Sequence, residues 1–149
     1  MSIGVRFANS WDKQQGKTNM KVTSLDHLVL TVRDIDRSAA FYADVLGMIP
    51  EVFHPADGSA RTALGFGNQK INLHQVGAEF QPKAENATGG SADLCFISGS
   101  PLTEWRQLLA KLGVEVLQGP VARIEAQGAI TSIYIRDPDG NLIEISNYV

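Results

Sequence analysis

The chain has 149 residues, of which 44% are apolar and 19% are charged, values typical of a globular domain. Its formal net charge is −3, and its lysines and arginines form no run, which argues against a nucleic-acid or polybasic membrane partner. No apolar stretch approaches the ~20 residues that span a bilayer. The single cysteine, Cys95, excludes an internal disulfide and agrees with a reducing compartment, so we expect a cytoplasmic protein.

Residues 1–23 are mostly polar and lack the apolar core of a signal peptide. We predict a flexible N-terminal tail over 1–23, followed by one domain over 24–149. That domain is long enough to bury a core of its own.

The domain begins with a predicted strand over 25–32 and a helix over 37–46, which Gly47 terminates. Three strands follow, over 49–53, 60–66 and 70–75. A polar, glycine-containing segment without clear period then predicts a connector over 77–91. The pattern starts again after it, with a strand over 93–97, a helix over 103–112 ended by Gly113, and strands over 115–117, 129–135 and 141–146.

The order of elements is therefore repeated, and counting supports the repeat. His27 precedes the helix-ending Gly47 by 20 residues, and Asp93 precedes Gly113 by 20. Repetition of one supersecondary unit is a fold-level signal. We predict an α+β fold of two tandem βαβββ units, over 24–76 and 92–149, which form a curved, partly open mixed sheet with helices behind it and a metal-binding cleft in front.

Strand side chains alternate between the two faces of a sheet, so parity predicts which residues face the cleft. In the first and last strand of each unit, the apolar residues take the core face and leave four candidate ligands on the other: His27, His74, Asp93 and Glu144. Two imidazoles and two carboxylates suit one divalent ion, namely Ni, Zn, Co, Mn or Fe(II). The third histidine, His54, has no repeat-related counterpart and is left out.

These motifs resemble the vicinal-oxygen-chelate superfamily, which contains glyoxalase I, bleomycin- and fosfomycin-resistance proteins, methylmalonyl-CoA epimerase and extradiol dioxygenases. The most specific segments are 25–29, with the sequence LDHLV, and 136–144, with RDPDGNLIE. Segments 71–75 and 79–83 resemble the subgroup called glyoxalase domain-containing protein 5. The superfamily carries its metal ligands on the first and last strand of each unit, and the resemblance implies chelation of a substrate that bears two adjacent oxygens.

The sequence also departs from glyoxalase I. Bacterial glyoxalase I has His, Glu, His and Glu in chain order at the ligand places, whereas this chain has His27, His74, Asp93 and Glu144. Glyoxalase I also has an arginine on the first strand that binds the glutathione carboxylate, and the residue at the matching position here is Thr31. The metal chemistry is therefore expected, whereas the use of glutathione is left open.

The resemblance implies a metal-dependent lyase or isomerase, similar to lactoylglutathione lyase, that acts on a 2-oxoaldehyde thiol adduct through an enediolate. Glu144 would be the catalytic base as well as a ligand. Asp93 would bind the metal or orient a histidine ligand from the outer shell. Thr31, Asn72 and Tyr134 are the predicted substrate contacts.

Two alternatives stay open. One is an Fe(II) ring-cleaving dioxygenase, whose signature segment 134–144 matches in part, although two of its defining histidines are missing. The other is a non-catalytic module that binds a small molecule, as drug-resistance proteins of the superfamily do. In every case the expected partners are a small-molecule substrate and a second copy of the chain in a homodimer, with no nucleic acid and no membrane.

Overall fold

The computed structural model describes residues 20–149. The predicted tail lies mostly outside the described residues, and its described part, 20–23, is exposed and belongs to no helix or strand. No helix in the described part is both long enough and apolar enough to cross a bilayer.

The described chain forms two units with the same order of elements. The first contains β1 (His27–Val32), α1 (Ile35–Asp44), β2 (Ile49–Phe53), β3 (Arg61–Phe66) and β4 (Gln69–Gln75), and the second contains β5 (Asp93–Ile97), α2 (Leu102–Lys111), β6 (Gln118–Glu125), β7 (Gly128–Arg136) and β8 (Leu142–Tyr148). Each unit has its own four-stranded mixed sheet, in the orders β1-β4-β3-β2 and β5-β8-β7-β6. The predicted fold of two tandem βαβββ units is confirmed.

Local chemistry sets the ends of the helices. Asp34 caps α1, because its side chain accepts a hydrogen bond of 3.0 Å from the backbone nitrogen of Arg37. Both helices are followed by a glycine with a φ of 70°, Gly47 after α1 and Gly113 after α2. This left-handed conformation favours glycine and ends each helix at the same place in its unit.

The predicted strand over 115–117 is wrong, because the structure places β6 at Gln118–Glu125. Gly119 and Pro120 suggested a turn in the sequence, but they lie inside the strand. There they form an irregularity, and the pairing of β6 with β7 shifts between Gln118 and Val121. Proline donates no ladder hydrogen bond, and an edge strand with a bulge can accommodate it.

One apolar core joins the helix-facing sides of both sheets. Its buried members come from both units and include Leu30, Tyr42, Leu64, Ile71, Leu73, Leu109, Ile133, Ile135, Ile143 and Ile145. The opposite side of each sheet, which we call the front face, does not take part in this core. Alternation of side chains along the strands therefore places the candidate site residues on the two front faces.

The turn between β7 and β8, residues 137–141, fastens the second unit to the first. The Tyr42 hydroxyl of α1 donates a hydrogen bond of 2.7 Å to Oδ2 of Asp137, and the backbone nitrogen of Arg33 donates one of 2.9 Å to Oδ1 of Asp139. A Cβ on Gly90 would lie 2.5 Å from the carbonyl oxygen of Asp139. The connector, residues 76–92, therefore passes the turn at a distance that only glycine permits.

Candidate functional site

The first front face carries His27 and Thr31 on β1 and Asn72 and His74 on β4. β1 and β4 are parallel, and the register pairs His27 with Lys70 and Thr31 with His74. His74 thus lies four positions beyond the residue that pairs with His27. At a rise of about 3.3 Å per residue, this corresponds to roughly 13 Å along the sheet.

The second front face is arranged around Glu144 on β8. Glu144 pairs with Cys95 on β5 and with Tyr134 on β7, so the three side chains form one row across the sheet. Asp93 on β5 pairs with Leu142, two positions before Glu144. The second face therefore brings its two predicted carboxylates onto adjacent strands.

The registers also define which residues of the two units correspond. Asn72 lies two positions after the partner of His27, and Glu144 lies two positions after the partner of Asp93. Asn72 is therefore the counterpart of Glu144, and His74 corresponds to Ser146. Counting residues suggested that His74 corresponds to Glu144, but the count cannot detect that the segment between the paired positions is longer in the second unit.

The two corresponding residues share an unusual property. Oδ1 of Asn72 and Oε1 of Glu144 are both buried, and neither has a hydrogen-bond partner. Leaving a buried polar atom unpartnered costs about 1–3 kcal/mol, so such atoms call for a ligand that satisfies them. Each front face thus offers one oxygen acceptor at the same place in its unit.

One ring nitrogen of His27 is held by the neighbouring residue. Its Nδ1 lies 2.7 Å from Oδ1 of Asp26, and its side chain is 43% exposed. A carboxylate that holds one ring nitrogen of a histidine fixes the ring and leaves the other nitrogen available to a metal. The contact with Asp26 engages Nδ1 of His27 and not Nε2.

His74 has a different environment, because the connector covers it. The residue is only 8% exposed, and the ring of Phe80 packs edge-on against it with centroids 5.3 Å apart. The guanidinium of Arg61 lies 4.0 Å from the centroid of the Phe80 ring. Burial, followed by the nearby charge of Arg61, lowers the pKa of His74 below its usual value.

Glu144 opens onto a cavity of about 450 Å³ on the second front face, lined also by Asp93, Arg123 and Tyr134. Burial raises the pKa of the Tyr134 hydroxyl, while a hydrogen bond from Arg123 opposes this rise and the Glu144 carboxylate adds to it. The phenol therefore stays protonated between a cation and an anion. This cavity contains an acid–base group, a hydroxyl donor and a fixed positive charge.

The four predicted ligands do not meet within one chain. In residues 20–149, no group of three or more His, Cys, Asp or Glu side chains is placed to hold a metal ion. Asp93 and Glu144 share the second face, while His27 and His74 lie at different positions of the first. The predicted substrate contacts divide likewise, with Thr31 and Asn72 on the first face and Tyr134 on the second.

Sequence reasoning missed two residues of the first face, Phe80 and Lys83. They lie in the connector, which has no strand or helix period, and therefore gave no signal of which way they point. The four-residue spacing of the opposite charges Glu79 and Lys83 is the one sequence signal that could have indicated their pairing, and the structure places Nζ of Lys83 3.7 Å from Oε2 of Glu79.

The fold agrees with the comparisons to known proteins. The family model described as Glyoxalase/Bleomycin resistance protein/Dioxygenase superfamily matches residues 24–145. The chain belongs to this superfamily, as its sequence predicted.

Several relatives are highly similar. Virulence protein STM3117 of Salmonella typhimurium is 50% identical over 92% of this chain and 92% of its own length. Glyoxalase domain-containing protein RDO1 of Mycosarcoma maydis is 48% identical over 93% of this chain and 75% of its length. A solved structure from the mobile metagenome of V. Pseudocholerae is 57% identical, with a TM-score of 0.82, and the match covers 87% of this chain and 98% of the other.

More distant matches include proteins named for an activity. Metallothiol transferase FosB of Staphylococcus epidermidis is 29% identical over 85% of this chain and 82% of its length. The crystal structure of lactoylglutathione lyase from Agrobacterium tumefaciens is 25% identical, with a TM-score of 0.62, and the match covers 85% of this chain and 95% of the other.

Proposed function

We propose that the chain is a metal-dependent lyase or isomerase of the glyoxalase I type that acts on a 2-oxoaldehyde thiol adduct. The observation that carries this proposal is the unpartnered, buried Oε1 of Glu144, a residue that lines a cavity together with Tyr134 and Arg123. A carboxylate so placed is suited to removing a proton from a bound substrate. The likeness to lactoylglutathione lyase and to a metallothiol transferase supports both a metal and a thiol compound.

The residues present fit a divalent ion. We assign His27, Asp93 and Glu144 as the residues that would hold it, with Asn72 next to them, because Asn72 and Glu144 each leave a buried oxygen unpartnered and Asp26 directs the ring of His27. A divalent ion in such a site would act as a Lewis acid on adjacent substrate oxygens. His74 lies outside this set, since the register separates it from His27 by four positions.

The side chains of the second face account for the movement of the proton. Glu144 would take the proton from the carbon next to the carbonyl and return it to the former carbonyl carbon. The proton of the hemithioacetal hydroxyl would pass to the former carbonyl oxygen, so that the product is a 2-hydroxyacyl thioester. Tyr134, kept protonated, donates a hydrogen bond to the oxygen that gains negative charge. Arg123, whose guanidinium lies 5.8 Å from the Tyr134 ring, adds a positive potential to the same place.

We further propose that the complete site needs two copies of the chain. The first front face supplies His27 and Asn72, the second supplies Asp93 and Glu144, and they do not converge within residues 20–149. The edge strands of both faces also expose apolar side chains, with Val29 of β1 44% exposed and Ile97 of β5 48% exposed. A homodimer that sets the first face of one copy against the second face of its partner would cover these residues and assemble the ligands.

The subgroup is inferred from the same likeness. The 48% identity to a glyoxalase domain-containing protein supports assignment to that type of glyoxalase-like protein. Its expected location is the cytoplasm, since the exposed free thiol of Cys95 suits a reducing compartment.

Elemental analysis and activity assays on the full chain test the function. We expect about one divalent ion per chain after reconstitution, and isomerisation of the methylglyoxal–glutathione hemithioacetal that EDTA abolishes. Oxygen uptake with a catechol or hydroquinone would instead indicate the dioxygenase. A chain that binds less than about 0.2 metal ion and turns over neither substrate would be a binding module.

Complementation tests the two-chain site. A heterodimer of His27→Ala and Glu144→Ala chains, purified through two different tags, has one intact and one doubly altered site if His27 and Glu144 come from different copies. We expect it to regain about half of the wild-type activity, while each homodimeric variant is inactive. A heterodimer as inactive as its parents would place both residues in one chain.

A further inference from the structure

Cys95, the single cysteine of the chain, lies in the same row of the second front face as Glu144 and Tyr134. We propose that its thiol is the nucleophile of the site and forms the thiol adduct itself, so that the substrate is a free 2-oxoaldehyde and no thiol co-substrate is required. This inference rests on the proposed function, because it keeps the proton transfer by Glu144 and changes only the origin of the thiol.

The order of the strands places the thiol beside the base. Cys95 on β5 pairs with Glu144 on the adjacent parallel strand β8, and Tyr134 on β7 lies on the other side of Glu144. A thiol, a carboxylate and a phenol therefore follow one another across three strands. A nucleophilic thiol needs a general base as its neighbour, and the carboxylate occupies that place.

Two buried hydroxyls hold the thiol on this side of the strand. Sγ of Cys95 lies 3.3 Å from Oγ of Ser146, which follows Glu144 by two positions on β8. Oγ of Ser146 lies in turn 2.8 Å from Oγ of Ser132, and both serines are fully buried. The thiol is therefore directed toward β8, the strand that carries Glu144, and not away from the sheet.

Glu144 lacks the partner that a reacting group would provide. The residue is 8% exposed, and its buried Oε1 forms no hydrogen bond with any described residue. An ordinary thiol is largely protonated at neutral pH, so its addition to an aldehyde requires a base that takes up the proton. Burial raises the pKa of the Cys95 thiol further, the hydrogen bond with Ser146 opposes this rise, and the charge of Glu144 adds to it. The carboxylate that acts on the thiol thus has a free oxygen to accept its proton.

The thiol is also accessible to a small substrate. Cys95 is exposed, and it lines a cavity of about 400 Å³ between the two units, with apolar walls that include Met48, Phe66 and Phe96. No charged side chain of the described residues lines this cavity. A neutral 2-oxoaldehyde bound to the thiol can therefore place its substituent against these walls and its two oxygens toward Glu144.

The proposed steps balance without an external oxidant or reductant. Sγ of Cys95 bonds to the aldehyde carbon, and Glu144 passes the thiol proton to the aldehyde oxygen, which yields a hemithioacetal. Glu144 then takes the proton from that carbon and returns it to the neighbouring carbonyl carbon, while the hydroxyl proton passes to the former carbonyl oxygen. The aldehyde carbon is oxidised, its neighbour is reduced, and the product is a 2-hydroxyacyl thioester of Cys95. Water then attacks the thioester carbon, the C–S bond breaks, and a 2-hydroxy acid leaves with the thiol restored.

Methylglyoxal without any added thiol tests the inference on the metal-reconstituted full chain. We expect the wild type to form lactate, and a rapid acid quench to leave an acyl group with the mass of one methylglyoxal on Cys95. This group should survive gel filtration and be released by hydroxylamine, as a thioester is and a reversible hemithioacetal is not. Cys95→Ala should lose the acyl group and form lactate only at the uncatalysed rate. Cys95→Ser keeps a hydroxyl beside Ser146 and should lose both as well, which guards against a structural effect of Cys95→Ala.

A thiol away from Glu144 is the matched control. Asn68→Cys in the Cys95→Ala chain adds a thiol to the exposed turn between β3 and β4, and it should give neither lactate nor a stable acyl group. The inference is overturned if the wild type forms no lactate from methylglyoxal alone, if Cys95→Ala forms it as fast, or if no acid-stable acyl group is present on the wild type during turnover.

The outcome is separable from that of the proposed function. Turnover of the methylglyoxal–glutathione hemithioacetal without lactate from methylglyoxal alone would keep the lyase and reject Cys95 as the source of the thiol. Lactate from methylglyoxal alone, with an acyl group on Cys95 and no turnover of the glutathione adduct, would keep the inference and reject an external thiol adduct as the substrate.

Discussion

The two front faces have the same strands in the same order, but they carry different chemistry. The connector covers part of the first face, and the residue two positions after the β4 partner of His27 is the neutral Asn72. At the corresponding position of the second face is the acidic Glu144, which lies beside Tyr134 and lines a cavity of about 450 Å³. The two faces therefore present a neutral amide and a carboxylate at corresponding positions.

Part of the difference arises from the connector that follows the last strand of the first unit. After β4, the connector turns back over the front face and buries His74 under Phe80. Glu144 on the second face is also only 8% exposed, but it lines a cavity beside Tyr134. The connector thus gives the first face a cover that contributes to the difference between the two faces.

The largest expected effect comes from removing the acid that distinguishes the second face. Glu144→Gln eliminates the proposed base, so we expect the rate of hemithioacetal isomerisation to fall by about 10³-fold. Glu104→Gln, on the exposed first turn of α2, is the control and should retain full activity. Retention of more than about a tenth of the rate in Glu144→Gln would assign the proton transfer to another residue.

The next test gives both faces a carboxylate at corresponding positions. Asn72→Asp places a carboxylate on the first face at the counterpart of Glu144. Since a further anionic oxygen strengthens divalent-cation sites, we expect the metal affinity to rise by about tenfold or more in a chelator competition assay. Asn68→Asp, in the exposed turn between β3 and β4, adds the same charge away from the site and should have no effect. Equal affinities in both variants would separate Asn72 from the metal.

A third test loosens the attachment between the two units. Tyr42→Phe removes the buried hydrogen bond to Asp137, and we expect the free energy of unfolding in urea to fall by about 1–2 kcal/mol. Tyr148→Phe, near the end of β8, removes a half-exposed hydroxyl and should leave stability nearly unchanged. A Tyr42→Phe chain as stable as the wild type would show that the attachment does not depend on this bond.

The same tyrosine makes stability depend on alkaline pH. Burial, together with the Asp137 charge, raises the pKa of Tyr42 far above its usual value of 10.0. The unfolded chain therefore releases this proton more readily, so the contribution is complete below about pH 10 and is lost as the pH rises. Urea unfolding between pH 8 and 11 should show a decline that is smaller in Tyr42→Phe.

The smallest effect concerns the cover of the first face. Phe80→Ala exposes His74, so its lowered pKa should return toward 6.5, as measured by NMR titration of the metal-free chain. With a lowered pKa in the folded state, the contribution of His74 to stability is complete above about pH 6.5 and decreases as the pH falls. Phe53→Ala, whose ring contacts Lys70 instead, should leave the His74 titration unchanged.

The sequence predicts much of this architecture, because the apolar spacing of a helix and the alternation of a strand both appear within a few neighbouring residues. Apolar spacing identifies the helices and most of the strands, and alternation correctly places Asn72 and His74 on the face opposite Ile71 and Leu73. The same reasoning places Asp93 and Glu144 on the second front face. These predictions need only the two-residue repeat of a strand, which each strand carries by itself.

The sequence does not determine the register between strands. Parity treats Asn72 and His74 alike, since both lie on the same face, and only the pairing with β1 shows which of them is closer to the level of His27. The path of the connector is hidden for a related reason. Phe80 approaches the sheet through contacts with His74 and Arg61, and no local pattern encodes such contacts.

The turn over 137–141 has a consequence for any attempt to divide the protein into its halves. A fragment that contains only the second unit would retain Asp137 and Asp139, which are 5% and 7% exposed in the whole chain, and would lose the partners that the first unit gives them. Two separately produced halves should therefore recombine spontaneously rather than persist as independent folded pieces.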